Sequence, residues 1–370
     1  MEKLTMMTSR FGGKYLLALA ITAAAVASGN SARAHDEGEG EGEGHKKGAD
    51  HDGGDEGHHD GEGGGGEGEG GEQGKGDGKH GHGRHHPHAH AGVVGVDFVL
   101  GFGKVPLAIQ NPPSNLGTLP TYAKGEARSM SESFILGAAF HLLPHTAFGV
   151  RLPFTFGQFY PVGNSSRGLG ALGNIELEAE YERHISHHTE LFFVMGFSLP
   201  TAQGEEIPEN LDTLTNAQVD QASYDKGALN RAAALSRGGE DNALFEPKRF
   251  GLNPKIGLNH RMGALTITPY IKVENLIATS PTLAHKYLGE LIPAVRIGYR
   301  MGKLEPALKL WVPILFAGSD EDKKVGFVVE PQLVFHHGNV RPALGVIIPV
   351  AGPAADPRFV GVRLAVAASF

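Results

Sequence analysis

The sequence predicts an all-β fold: a transmembrane antiparallel β-barrel of about 12 strands behind a disordered N-terminal tail. Three observations carry this prediction. Segments of roughly ten residues alternate strictly between apolar and polar side chains, the period of a strand with one face in lipid. The connections between them alternate between short and long, as periplasmic turns and external loops do. Beyond the first 34 residues, no stretch has the length and hydrophobicity of a membrane-spanning helix.

Residues 1–34 read as a secretory signal. Lys3, Arg10 and Lys14 form a basic start, Tyr15–Val26 is an apolar run of twelve, and Ala32-Arg33-Ala34 offers a small-x-small cleavage site before His35. The run is short for a spanning anchor. The chain has no cysteine, so an exported product uses no disulfide and carries no thiol for a lipid.

Residues 35–92 are almost wholly Gly, Glu, Asp and His. They hold fifteen acidic against five basic residues, a net charge of −10 with His neutral. With almost nothing apolar to bury, ordering this stretch would lose backbone entropy without return, so it is expected to be disordered. Subtracting that −10 and the +3 of the signal from the chain total of −8 leaves 93–370 at −1. The acidity belongs to an appendage, and nothing points to a nucleic-acid partner.

The barrel is expected over 93–370. Twelve strands are read near 93–106, 133–142, 146–158, 172–184, 190–200, 250–261, 264–276, 290–301, 304–316, 324–336, 339–350 and 358–370. In the clearest, Ile175, Leu177, Ala179 and Tyr181 face one way and Glu176, Glu178, Glu180 and Glu182 the other. A helix would scatter those glutamates, whereas a strand places all four on one side. Pro254, Pro293, Pro306, Pro331 and Pro342 fall inside these segments and are read as strand ends or bulges. A soluble periplasmic sandwich is the competing fold, but its second face would bury Glu, Lys and Arg. The longest connection, 201–249, is read as an external loop with room for a helix around Thr213–Ala234. An even strand count puts both ends of the barrel, and hence the tail, on the periplasmic side of a Gram-negative outer membrane.

Two sets of residues could carry function. Glu176, Glu178, Glu180 and Glu182 on one wall face Arg296, Arg300, Lys309, Arg341 and Arg363 on the other. In an open lumen they would set a transverse field favouring polar or zwitterionic solutes. If they pair with one another they would close it, and both outcomes suit a barrel of this size. The second set is histidine. Eleven of twenty lie in the tail, including His58, His59, His80, His82, His85, His86, His88 and His90. Imidazoles beside carboxylates on a flexible chain form weak sites for Zn, Ni, Cu or Co, suited to capture rather than catalysis. Eight of the nine others, among them His187, His188, His336 and His337, fall at the short turns where the tail joins. No cofactor is required by this reading.

The stretch "GALGNIELEAEYERHISHHTELFFVMGFSLPTAQG" (Gly170–Gly204) resembles outer-membrane β-barrels of the transporter family associated with the meta-pathway of phenol degradation. Gly170 and Gly173-Asn174 match the first part of that family's pattern loosely, and Gly196, Leu199-Pro200-Thr201 and Gly204 match the second. The final "VRLAVAASF" looks like the strand by which the barrel assembly machinery recognises its clients, ending in Phe370. The resemblance implies a barrel in contact with outer-membrane lipid, acting as a channel or transport component for small solutes. It names no substrate, and the tail lies outside its pattern. A sealed barrel serving envelope integrity is the alternative. An outer-membrane enzyme is not expected: the only His-x-Ser, His184-Ile185-Ser186, lies at the periplasmic end, and no G-x-S-x-G, P-loop or H-E-x-x-H occurs. Oligomeric state leaves no mark in the sequence.

Overall fold

The computed structural model describes residues 92–110, 122–143, 145–161, 166–206, 220–281, 283–318, 324–355 and 358–370. The signal, the tail and the tail histidines fall outside the described residues. Fourteen strand segments and two helices follow in the order β1 Gly92–Gln110, β2 Tyr122–Leu143, β3 Thr146–Pro161, β4 Arg167–Leu172, β5 Glu176–Ser186, β6 Thr189–Ser198, α1 Gln221–Ser236, α2 Asn242–Phe245, β7 Arg249–Met262, β8 Leu265–Ala278, β9 Tyr287–Tyr299, β10 Leu304–Trp311, β11 Ile314–Ala317, β12 Phe327–Phe335, β13 Val340–Ala351 and β14 Val360–Ser369.

These segments make a closed antiparallel barrel of twelve staves. β4 and β5 both pair with β3 and form one interrupted stave, and β10 and β11 do the same along β9. Each neighbour in turn is antiparallel, and the ring shuts where β14 pairs with β1, from Val93↔Ser369 to Phe102↔Val360. Closure leaves no open sheet edge, which a lipid environment requires.

Inside and outside are reversed relative to a soluble protein. Phe102, Phe148, Leu177, Ile256, Ile271, Ile297 and Leu364 point outward and are exposed. Asp97, Arg151, Glu176, Lys272, Glu290, Arg296, Lys309 and Glu330 point inward and are buried. An apolar band outside a polar interior is the arrangement of a membrane barrel, and it rules out the sandwich. Among the described residues no helix is long and apolar enough to cross a membrane.

Four expectations are corrected. β2 begins at Tyr122 rather than near 133, so its 22 residues form a hairpin with β1 far longer than the ~9–11 a spanning strand needs. The stave read as continuous over 172–184 breaks at 173–175, because the Asn174 backbone and side chain turn away to other partners. The five prolines lie within strands at paired positions, such as Pro254 opposite Met195 and Pro293 opposite Ile271, rather than at ends or bulges. Finally, 220–246 is no external loop. It runs through the barrel interior.

The core of the molecule is therefore the plug and its seat. Ala228, Leu229 and Ala232 of α1 pack with Val105, Leu107, Ala127, Phe159, Ala171 and Phe359. Ala233, Ala234, Leu244 and Phe245 pack with Ile135. α1 is rich in alanine because the wall comes very close. A Cβ at Gly101 would lie 2.3 Å from the Ser236 Cβ, and one at Gly361 would lie 2.2 Å from the Ser236 carbonyl oxygen. Small residues on the helix and glycines on the wall let the two backbones meet.

Candidate functional site: the plugged lumen

α1 starts at Asp220, whose carboxylate accepts the Ser223 N–H at 3.2 Å as an N-cap. It stops at Ser236-Arg237-Gly238-Gly239. The Gly239 N–H donates to the Ala234 carbonyl at 3.1 Å and the Gly238 N–H to the Leu235 carbonyl at 3.0 Å. These two bonds make a Schellman end, and the positive φ at Gly238 (67°) is the conformation it demands; Gly239 (78°) continues the left-handed turn. The chain then turns sharply at Arg237–Asp241 and enters the single turn of α2.

That turn is the electrostatic centre of the barrel. Arg237, with a side chain 2% exposed, donates to the Asp97 carboxylate at 2.7 Å, the Ser133 hydroxyl at 3.0 Å and the Asp97 carbonyl at 3.1 Å. Asp241 accepts from Arg151 at 2.9 Å and lies 3.4 Å from Arg237. Glu240 accepts from the Tyr270 hydroxyl on one oxygen and from the Lys309 ammonium on the other. Lys272 donates to the Glu240 carbonyl at 2.6 Å, and the Trp311 indole N–H to the Gly238 carbonyl at 3.0 Å. Burial by itself raises both turn carboxyls, but the cations overcome it. Lys309, Arg363 and Lys272 hold Glu240 down at about 2, and Arg151, Lys272 and Arg237 hold Asp241 well below the usual carboxylate range.

Strands on all sides reach the plug. Glu290 accepts from the Asn242 amide at 2.7 Å and Glu274 from the Ala243 N–H at 3.0 Å. Asn174, at the break between β4 and β5, donates to the carbonyls of Ala243 (2.9 Å) and Glu246 (2.7 Å) and accepts from the Ala202 N–H. Thr201 closes the base of the loop, donating to the Gly173 carbonyl at 3.0 Å and accepting from the Ile175 N–H at 2.8 Å. Gly173-Asn174 and Thr201, quoted above only as a pattern, are thus the anchor of the plug.

The charged residues singled out in the sequence fall in different places. Glu176 is buried, paired with Arg151 at 2.8 Å and accepting from the Asn253 amide at 2.8 Å. Glu178 lies 3.5 Å from Arg151, while Glu180 and Glu182 continue the inward column of β5. Arg363 binds Asp97 at 2.8 Å and Glu330 at 3.5 Å. Arg296 pairs with Glu305 and donates to Gln332 at 3.1 Å. Lys309 holds Glu240, Arg341 is half-buried on β13, and Arg300 is exposed at the short-turn end, donating to the Gly302 carbonyl. The acidic and basic sets are bridged largely through the turn and its neighbours rather than facing across open space. Arg237, Glu240 and Asp241 escaped the sequence reading; the Ser-Arg-Gly-Gly helix stop after an alanine run was the signal that could have found them.

The body histidines have separate partners. His336 contacts Glu305 at 2.9 Å, His260 contacts the Thr189 hydroxyl at 2.8 Å, His184 lies 3.7 Å from Glu190, and His337 stacks on Phe335. His187 and His188 are exposed at their turn. Among the described residues no three metal-ligating side chains converge.

No family model matches the chain, and no curated protein matches its sequence. Solved structures do resemble it. They are outer-membrane barrels. An outer membrane channel from Pseudomonas putida F1 aligns over 76% of this chain and 96% of its own at 10% identity, with a TM-score of 0.46. The toluene transporter TodX of Pseudomonas putida aligns over 75% and 89% at 10% identity, TM-score 0.38. The translocator domain of the autotransporter NalP from Neisseria meningitidis aligns over 77% and 90% at 9% identity, TM-score 0.39. The architecture of the present chain rests on its own strand pairing, not on these likenesses.

Proposed function

We propose that the chain is an outer-membrane channel or transport component for small solutes, closed in this structure by residues 220–246. One observation carries the reading: the lumen is filled by a separate segment of chain, held to the wall by ion pairs and hydrogen bonds. Barrels closed permanently at small diameter are filled by the side chains of their own strands. A lumen lined with Asp, Glu, Lys and Arg, and a plug bound by the same groups, suit a polar path that can be vacated. The loose match of Gly170–Gly204 to the meta-pathway-associated transporters supports the same reading, as does the apolar outer belt. No catalytic residue is assigned. The dense pairing of lumen charges favours one alternative, a sealed barrel of purely structural use.

Conductance in planar bilayers separates the two. The chain with 220–246 replaced by a short Gly/Ser linker should pass at least tenfold more current than the intact chain. Two equally silent proteins, both folded by gel mobility, would establish the sealed barrel instead.

The tail completes the proposal. Residues 35–92 are periplasmic and bind divalent transition metals through their histidines, including the run His80–His90 that leads into β1. The turn histidines, including His187, His188, His336 and His337, lie at the end of the barrel where that run joins. Calorimetry with zinc should show heat from the full chain that falls away without 35–90. No heat from either protein would end this part of the reading.

A further inference from the structure

The carboxylate of Glu240 is bound as a ligand is bound. Each of its oxygens has its own donor, the Tyr270 hydroxyl on one and the Lys309 ammonium on the other. Both donors belong to the wall, on β8 and β10, and both are buried, Tyr270 at 3% and the Lys309 side chain at 3% exposed. Aromatic faces surround them. Lys309 Nζ stands 5.0 Å from the Trp311 ring centre and 5.8 Å from that of Tyr270. Lys255 Nζ stands 4.7 Å from the Tyr270 ring centre and 5.4 Å from that of Phe192. Lys272 sits at the backbone of the same residue, and Arg363 adds positive field. The wall thus holds a cationic, aromatic-sided recess independent of the plug's covalent path.

Glu240 reaches it on a short arm. It follows two consecutive glycines with positive φ, and its side chain keeps 15% exposure while its wall partners are buried. Gly239 has room for ordinary contacts around it, whereas Gly238 packs against Trp311 and Val328, so the turn swings by rotation at the two glycines away from that wall contact. Its carboxylate is therefore a tethered occupant in a site that the wall would offer unchanged to a free one.

We propose that this recess is the solute site, that its ligand class is the small organic carboxylate with an apolar or aromatic body, and that Glu240 is an internal stand-in which the solute displaces. The proposal rests on the channel reading and specifies its solute. The incoming carboxylate takes the Tyr270 and Lys309 donors, and its body lies against Trp311, Tyr270 and Phe192. Glu240 moves to water, the turn rotates at Gly238-Gly239, and the Trp311 indole loses the Gly238 carbonyl.

Trp311 is the single tryptophan of the chain, so its emission reads the site directly in the intact protein in detergent. Cyclohexanecarboxylate, which does not absorb in that range, is titrated against its neutral counterpart cyclohexanemethanol and against sodium phosphate and sodium chloride at matched ionic strength. A saturable change with the carboxylate alone is expected. E240Q, which weakens the internal competitor, should bind at least tenfold more tightly, and K309M at least tenfold more weakly. No saturable response, an equal response to the alcohol or to phosphate, or unchanged affinity in E240Q would overturn the proposal. The wild-type comparison of acid with alcohol needs no variant to fold. Absence of binding alongside a conducting loop-replaced protein would fault the site and spare the channel; binding alongside a silent one would do the reverse.

Discussion

Arg237→Ala should release the plug. The arginine bridges a wall carboxylate, Asp97, and the plug's own Asp241, with its side chain only 2% exposed. Removing one member of a buried pair costs about 3–5 kcal/mol, because the remaining charge stays buried with less compensation. Here the survivors keep partners. Asp97 retains both Arg363 nitrogens at 2.8 and 2.9 Å, and Asp241 retains Arg151 at 2.9 Å. The lower end, about 3 kcal/mol, is therefore expected, which shifts the docked-to-released ratio of the turn roughly 100-fold. Single-channel recording should show open events in R237A at least ten times as frequent as in the parent. R237K keeps the charge but loses the planar fork that reaches Asp97 and Ser133 together, so it should fall between. A closed R237A beside a conducting loop-replaced protein would show that the ionic turn does not hold the plug, leaving the apolar α1 seat to do so.

Three further outcomes follow from the same geometry. Glu240 and Asp241 have depressed folded-state values, so their contribution is present above the ordinary carboxylate range and is lost only as pH falls through about 2 for Glu240; the difference in current between E240Q and the intact protein should therefore be the same at pH 7 and pH 4, and a difference that vanishes with a midpoint near pH 5 would contradict this assignment. Gly361→Val places a side chain where a Cβ already lies 2.2 Å from the Ser236 carbonyl, so α1 should be unseated at a cost of about 1–3 kcal/mol, read as faster amide exchange in α1 with the strands still protected. Asn174→Ala removes the partners of the Ala243 and Glu246 carbonyls and of the Ala202 N–H, and should lower thermal stability by about 2–3 kcal/mol at roughly 1 kcal/mol per lost bond; an unchanged melting curve would remove Asn174 from the anchor.

The barrel was legible because lipid imposes a simple rule. Outward positions must be apolar, so strands such as Phe148–Phe156 and Val360–Phe370 announce themselves by period alone. The upstream half of β2, Tyr122–Glu132, alternates weakly in sequence, so its period does not announce a strand. The plug obeys no such rule. α1 is buried on most sides among both apolar and polar neighbours, so it needs no apolar stripe, and Asp225 and Asn230 could sit in it, with Arg237 at its end, without betraying a solvent face. Charge pairing was legible only as two opposed sets of residue types. That Glu176 binds Arg151 depends on the register of β3 against β5, and that Arg363 binds Asp97 266 positions away depends on barrel closure; neither leaves a local trace.

The plug stands between β6 and β7, midway through the barrel's chain order, and this has a kinetic consequence. When β1 to β6 have formed, the seat of α1 on β1–β4 exists already, but most partners of the turn do not. Tyr270, Lys272, Glu290, Lys309 and Trp311 come afterwards, on β8 to β10. The segment can settle on a half-built, open sheet and then serve as the mandrel around which the second half wraps. Its pairs with Asp97 of β1 and Arg151 of β3 can form first, and its bonds to Tyr270, Glu290 and Lys309 follow as β8, β9 and β10 arrive, drawing the late strands inward before β14 meets β1. A plug threaded afterwards would have to desolvate all its charges in one step through a finished ring; one built in from the start meets them strand by strand.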